Sequence, residues 1–292
     1  MERWAGKVAV ITGASAGIGA AIARNLVKQG MIVAGFARRV EKIKEIADTL
    51  ENSSGKLHPV ECDITKEEDV IAAFVWVKNN LGPIGVLVNS AGITKESSLI
   101  DGSLEDWQSV FNVNILGLCL CTREAVRMMR ETAIEDAVII HVNSLAGERV
   151  PFVPGFSVYP ASKRAVTGLA QSLRHELAGT CIRVTVNFSV NLCCMISLSL
   201  SHNCYNIILL STKRIKYEFY LHFCYLQNIS PGLIATDFMA SYSTFSAEAM
   251  AAMPTLDPDD VATAVIYVLS NPPHVLVCAY YKFLNISFRY IR

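Results

Sequence analysis

"KVAVITGASAGIGAAIARNLVKQG", Lys7 to Gly30, decides the fold. A short apolar strand, residues 7–12, ends in a turn rich in glycine. The turn runs at once into apolar residues at helical spacing: Ile18, Ile22 and Leu26. Gly30 closes the helix. A strand that is apolar at every position, rather than at alternate ones, is buried on both faces, which points to a parallel sheet with helices packed above and below.

The same rhythm continues outward. "MIVAGFA" (31–37) reads as a second strand and "VEKIKEIADTLE" (40–51) as an amphipathic helix. "KLHPVECD" (56–63) is a third strand, although Pro59 removes a ladder donor. "KEEDVIAAFVWVKNNL" (66–81) is a helix with an acidic first turn, which suits the positive end of its dipole. "IGVLVNSAG" (84–92) is a strand that ends in glycine. Residues 103–131 read as one long helix opened by a capping box, Ser103 with Asp106. "AVIIHVNS" (137–144) is a strand, 158–179 a second long helix, and "CIRVTV" (181–186) the start of a sixth strand. The expected fold class is α/β: a single-domain Rossmann fold, a doubly wound parallel sheet with helices on both faces. Ligands of such sheets bind beyond the carboxyl ends of the strands, near the reversal in strand order.

The bulk numbers agree with one large domain across 1–292. A chain of 292 residues buries roughly three-quarters of its unfolded surface. Lys+Arg and Asp+Glu are both 26, so the net charge is zero and nothing favours nucleic acid or an anionic membrane as partner. The first residues, "MERWAGKVAVITG", lack a basic flank with an apolar signal core, so a cytoplasmic location is the expectation. Of nine cysteines, Cys62, Cys119, Cys121 and Cys181 in the regular part are expected as buried thiols. No Cys-x-x-Cys pairing with a matching His spacing is present, so zinc is not expected.

Gly13, Gly17 and Gly19 in "TGASAGIG" allow a tight turn and close approach of backbone to a phosphate, at a helix N-terminus that favours negative charge. A sheet of this kind that binds NAD places an acid at the end of the second strand. Here Ala37 is followed by Arg38 and Arg39, two guanidiniums suited to a 2′-phosphate, and the expected cofactor is NADP(H). "YPASK" sets Tyr159 and Lys163 one helical turn apart, on one face. An ammonium beside a phenol favours the phenolate. Such a phenol can exchange a proton with an alcohol or carbonyl oxygen while hydride moves to or from a nicotinamide.

Taken together, "TGASAGIG", "NSAG" (89–92), Asn114 in "NVNI", Ser144, "YPASK" and "PGLIAT" (231–236) resemble the short-chain dehydrogenase/reductase family, in its order, over residues 5–185 and 228–273. The resemblance implies Tyr159 as general acid/base, with Lys163 tuning it and holding the nicotinamide ribose. It implies Ser144 as a hydrogen bond to the substrate oxygen and Asn114 as anchor of a relay water. It places Ser15 and Ile18 with the glycines at the cofactor. Asp63 and Ile64 would lie at the adenine, and Asn89, Ala91 and Gly92 along the adenosine ribose. Pro231, Gly232, Ile234 and Thr236 would meet the nicotinamide amide and phosphates. "NSAG" departs from the usual "NNAG": Ser90 replaces an Asn that braces the sheet centre. Within the family, "MERW", "FARR" and "VFNVNILGLCLCTREA" resemble the insect farnesol dehydrogenase-like group and the dehydrogenase/reductase member 11 type. That implies a small apolar alcohol or carbonyl substrate, terpenoid or steroid-like, and a homodimer or homotetramer paired through 103–131 and 158–179. The competing reading is a catalytically silent NADP(H)-binding protein.

Residues 186–227 break the pattern. Deleting Val186 to Gln227 gives "CIRVT–NISPGLIATDF", family text without a gap. Three readings compete. A membrane span fits the uncharged length 184–212, but Asn187, Asn191, His202, Asn203 and Asn206 are costly in hydrocarbon. A substrate lid would be expected later, at 239–253. A translated intron fits both junctions, since valine codons begin with the donor dinucleotide and CAG is a glutamine codon. The tail 278–292 loses the pattern in the same way after Val277.

Overall fold

The computed structural model describes residues 1–148, 150, 155–189, 233–234, 255–275 and 279–281. The strands are β1 (Val8–Thr12), β2 (Ile32–Ala37), β3 (Lys56–Glu61), β4 (Ile84–Asn89), β5 (Ala137–Ser144), β6 (Ile182–Ser189), β7 (Leu233–Ile234), β8 (Thr255–Leu256) and β9 (Ala279–Tyr281). The α-helices are α1 (Gly17–Lys28), α2 (Val40–Asp48), α3 (Glu67–Asn80), α4 (Leu104–Phe111), α5 (Leu118–Glu131), α6 (Val158–Glu176) and α7 (Pro258–Ser270).

Seven strands form one parallel sheet in the order β3-β2-β1-β4-β5-β6-β9, and β7 pairs with β8 apart from it. The order reverses between β1 and β4, so the mouth of the sheet opens there. Every residue of β1, β4 and β5 is buried, as their apolar runs require. Alternate residues feed two cores. Val8, Val10, Leu87 and Ile139 join apolar residues of α3, α5 and α6 on one face. Ala9, Ile11, Val88 and Ile140 join those of α1, α2 and α7 on the other. The doubly wound architecture is therefore as expected.

Several local readings need correction. Pro59 does lie in a strand, but β3 is the edge of the sheet, where the missing N–H is tolerated. The long helix 103–131 is not continuous. A π-helical segment, Asn112–Gly117, separates α4 from α5. Such wide turns cluster at functional sites. The capping box is half made: Ser103 Oγ accepts from Asp106 N at 3.1 Å, while the Asp106 carboxylate accepts a hydrogen bond from the Ser103 hydroxyl instead of from its main-chain N–H. Cys62 and Cys121 are buried, but Cys119 is half-buried and Cys181 exposed. β6 runs four residues into 186–227, pairing Val186 to Ser189 with His141 to Ser144. The seventh strand of the sheet, β9, falls inside the tail 278–292 and pairs with Val186 to Phe188. Residues 190–227 lie outside the described residues. Among the described residues, no helix is long and apolar enough to cross a membrane.

At the amino end of the strands, Asp136 is shared by two arginines. Arg3 Nε lies 3.2 Å from one carboxylate oxygen and Arg183 Nη2 2.7 Å from the other. Trp4 is buried beside them and donates its indole N–H to Leu269 O at 2.7 Å.

Candidate active site

The first turn is shaped by steric need. Gly13 has φ +72°, and a methyl placed on it would stand 2.8 Å from the Ala91 Cα. On Gly19 the methyl would be 2.3 Å from the Gly13 carbonyl oxygen. The turn therefore closes only with glycine at both positions. Thr12 Oγ1 accepts from Ser90 N (3.1 Å) and Ala91 N (3.0 Å), tying the end of β1 to the loop after β4. That role was missed in the sequence, where Thr12 reads only as a β-branched strand end. Ala16 precedes α1 without a side-chain cap, so Ser15 to Ile18 lead into a helix whose first N–H groups have no side-chain partner at the cap. This cradle fits a pyrophosphate.

Arg38 and Arg39 follow β2, both exposed and without an ion pair among the described residues. Asp63 follows β3, with Ile64 buried beside it. Burial pushes the Asp63 carboxyl up. Hydrogen bonds from the Thr65 hydroxyl and backbone, with the charges of Arg38 and Lys66, more than offset this and leave it below its ordinary value. The cationic pair and the anionic side chain thus stand together beyond β2 and β3. They fit a phosphorylated adenosine.

The Asn89 side chain is turned into the sheet. Its Nδ2 donates to Thr122 Oγ1 (2.9 Å) and meets His141 Nδ1 (3.1 Å) inside the sheet core. At position 90, where an Asn is usual, the shorter Ser90 leaves its buried Oγ without a hydrogen-bond partner among the described residues. The Asn89 Oδ1 is likewise buried without a hydrogen-bond partner among the described residues. His141 is 1% exposed, and burial first, then the charges of Arg174 and Lys163, push it down to about 3, so it is neutral.

Tyr159, Ser162 and Lys163 share the buried face of α6. The Lys163 Nζ donates to Val142 O at 3.1 Å and lies 5.7 Å from the centre of the Tyr159 ring. Ser144, at the end of β5, is buried and accepts from Ala146 N at 3.2 Å. Asn114, in the π-helical segment, donates to Ile93 O (2.9 Å) and Ser162 Oγ (3.0 Å) and accepts from Ile93 N (2.9 Å). The Ser162 hydroxyl in turn donates a hydrogen bond to Tyr159 O at 2.7 Å. Asn114 is thus a clamp between the loop after β4 and α6, and both its N–H protons are spent. A relay water would have to meet its remaining lone pair or main chain. A methyl on Gly92 would reach 3.4 Å from Asn114 Oδ1 and 3.7 Å from Lys163 Nζ. The glycine turn, Ala91–Gly92, Asn114 and Lys163 therefore form one continuous wall. Pro231, Gly232 and Thr236 lie outside the described residues. Ile234 ends β7, paired with Leu256.

Burial pushes the Lys163 ammonium down to about 8, against 10.5 ordinarily. Between these values the unfolded chain holds a proton that the folded chain has lost, so stability rises with pH through this window. The burial penalty, about 3 kcal/mol, is fully present below pH 8. Above about pH 9 the buried thiols of Cys62 and Cys121 act in the opposite sense, so between pH 8 and 9 the urea midpoint of the ligand-free protein should rise more steeply than that of Lys163→Met.

The comparisons agree with this geometry. The short chain dehydrogenase family matches residues 7–190. The cattle protein "Dehydrogenase/reductase SDR family member 11" is 38% identical over 285 residues, 95% of each chain. Farnesol dehydrogenase of Aedes aegypti is 36% identical over 283 residues, again 95% of each. Among solved structures, a short-chain type dehydrogenase/reductase from Mycobacterium marinum aligns with TM-score 0.74 and 25% identity over 95% of this chain and 94% of its own. An alcohol dehydrogenase from Thermococcus sibiricus, complexed with 5-hydroxy-NADP, aligns with TM-score 0.69 and 25% identity over 95% of each chain. With the glycine turn, the Tyr159–Lys163 pair and the strand order all in place, this chain belongs to the short-chain dehydrogenase/reductase family of oxidoreductases.

Proposed function

We propose that the protein is an NADP-dependent oxidoreductase that interconverts a small apolar alcohol and its aldehyde or ketone. The observation that carries this is the buried Tyr159–Lys163 pair on the wall that continues from the glycine turn. NADPH, when bound, supplies the hydride. Gly13 to Gly19 and the start of α1 hold its pyrophosphate, and Arg38 and Arg39 its 2′-phosphate. Tyr159 gives its hydroxyl proton to the carbonyl oxygen in reduction and takes it back in oxidation. Lys163, poorly solvated and beside the ring, favours the ionised phenol, and Ser144 donates a hydrogen bond to the same substrate oxygen.

The apolar substrate class is supported by the likeness to a farnesol dehydrogenase. The NADP preference is supported by the two guanidiniums after β2 and by the ligand of the Thermococcus sibiricus enzyme. We place the enzyme in the cytoplasm as a homodimer or homotetramer, since Leu104, Phe111 and Leu116 stand exposed on α4 and the segment after it. Replacing Arg38 and Arg39 together by Ala should weaken NADPH binding by about 10- to 100-fold, the worth of a charge-assisted hydrogen bond or two, with NADH affinity unchanged. Isothermal titration with each cofactor decides it. Equal losses for both would remove the 2′-phosphate role.

A further inference from the structure

The loop after β4 and the turn before α6 are distant in sequence but laced together. Ser97 N donates to Gly155 O at 2.8 Å, and Ser97 pairs with Phe156 in an isolated parallel bridge. Both Ser97 and Phe156 are buried. Gly155 has φ +71°, and a methyl there would stand 2.8 Å from Glu96 Cγ, so the strands of this bridge approach closely because position 155 is bare. The Ser97 hydroxyl accepts from the indole N–H of Trp107, on α4, at 3.0 Å. Gly102 lets the loop fold over that indole: a methyl on it would come within 2.6 Å of Trp107 Nε1. At the other end of the chain of contacts, the Phe156 ring lies 5.0 Å from the Tyr159 ring, tilted by 41°.

We infer that Phe156 is a positioning residue for Tyr159, and that Trp107, through Ser97, holds Phe156 in place. The inference rests on the reading of Tyr159 as the proton donor and acceptor. A phenol at the start of a helix is fixed at its Cα but can still swing about two side-chain bonds. The Phe156 ring, on the turn just before α6, gives it a surface to stand against. A displacement of about 1 Å at a reacting group is enough to cost about 10²-fold in rate.

Three variants of the full chain test this. Phe156→Leu keeps apolar bulk, Phe156→Tyr keeps the ring, and Trp107→Phe keeps an aromatic ring on α4 but has no N–H. Phe156→Leu should lower kcat by about ten-fold or more with the KM for NADPH unchanged, and Phe156→Tyr should restore kcat, because aim and not cofactor affinity is at stake. Amide exchange gives a readout that needs no turnover. Trp107→Phe should speed exchange by about five-fold at Ser97 and also across residues 155–159, as expected for loss of one buried hydrogen bond in a shared unit. Parental kcat in Phe156→Leu overturns the inference. So does faster exchange that stops at residues 94–107. Retained turnover in Tyr159→Phe would instead remove the reading of the site, and the exchange result would still judge the tie.

Discussion

Tyr159→Phe is expected to lower carbonyl reduction by about 10²- to 10⁴-fold, the usual contribution of a positioned acid/base. The change removes one hydroxyl and keeps the ring, so the contact with Phe156 and the buried position under α6 persist. NADPH affinity should stay within about two-fold and thermal stability should fall little, since a single hydroxyl is worth about 1 kcal/mol. The measurement is NADPH oxidation with a panel of apolar ketones and aldehydes, beside NADPH titration of both proteins. The rival reading, a silent NADP(H) binder, makes the opposite demand: no substrate-dependent rate in the parent and none to lose. An unchanged rate in Tyr159→Phe would leave proton transfer to some other group and sink the mechanism.

The second large effect concerns residues 186–227. Before its last residue, Ser144, which pairs with Ser189, β5 carries His141, Val142 and Asn143: polar, apolar, polar. The register sets Val186, Asn187 and Phe188 opposite them: apolar, polar, apolar. Paired positions share a face, so Val186 is set beside the polar His141, although it also joins Ile182 and Val184 in the apolar cluster on that face. Joining Thr185 to Asn228 would bring Asn228, Ile229 and Ser230 opposite the same three residues, polar, apolar, polar. His141 already sits in a buried hydrogen-bonded cluster with Asn89 and Thr122, a setting that suits an Asn neighbour better than Val. We propose that the run is a translated intron. The chain shortened by 186–227 should be the more soluble, because it loses a long run rich in apolar residues that would otherwise add a sticky surface. Its specific activity should exceed that of the full chain, because the join also returns "PGLIAT" to the end of β6. Equal solubility and equal rates in the two forms would refute this, and a transcript read across codons 185–228 checks it independently.

Much of the fold was legible because burial on both faces leaves a plain signal. Apolar strands such as 8–12 and 84–89 cannot sit elsewhere, and glycine at 13 and 19 is forced by contacts of backbone with backbone. Tyr159 and Lys163 were legible because a spacing of four places two side chains on one helix face. The π-helical segment was not, since its residues keep a helical pattern and only the widened turn distinguishes it. Asn89 was read as a cofactor contact because a motif records which residue is present, not which way its amide points. Ser97, Trp107 and Phe156 gave no signal at all: each is ordinary alone, and their relation exists only after two loops meet. The place of β9 was hidden for a related reason, since a three-residue strand takes its identity from its partner.

The carboxylate that Arg3 and Arg183 hold in common has a bearing on how the molecule is made. It links the beginning of the chain to the entrance of β6, so that clasp cannot close during synthesis until Arg183 has emerged from the ribosome. Until then the outer rim of β5 is an unpaired ladder of main-chain donors and acceptors, open to any passing strand. The nascent protein therefore meets its greatest hazard of mispairing late, at the strand whose exit the irregular run begins.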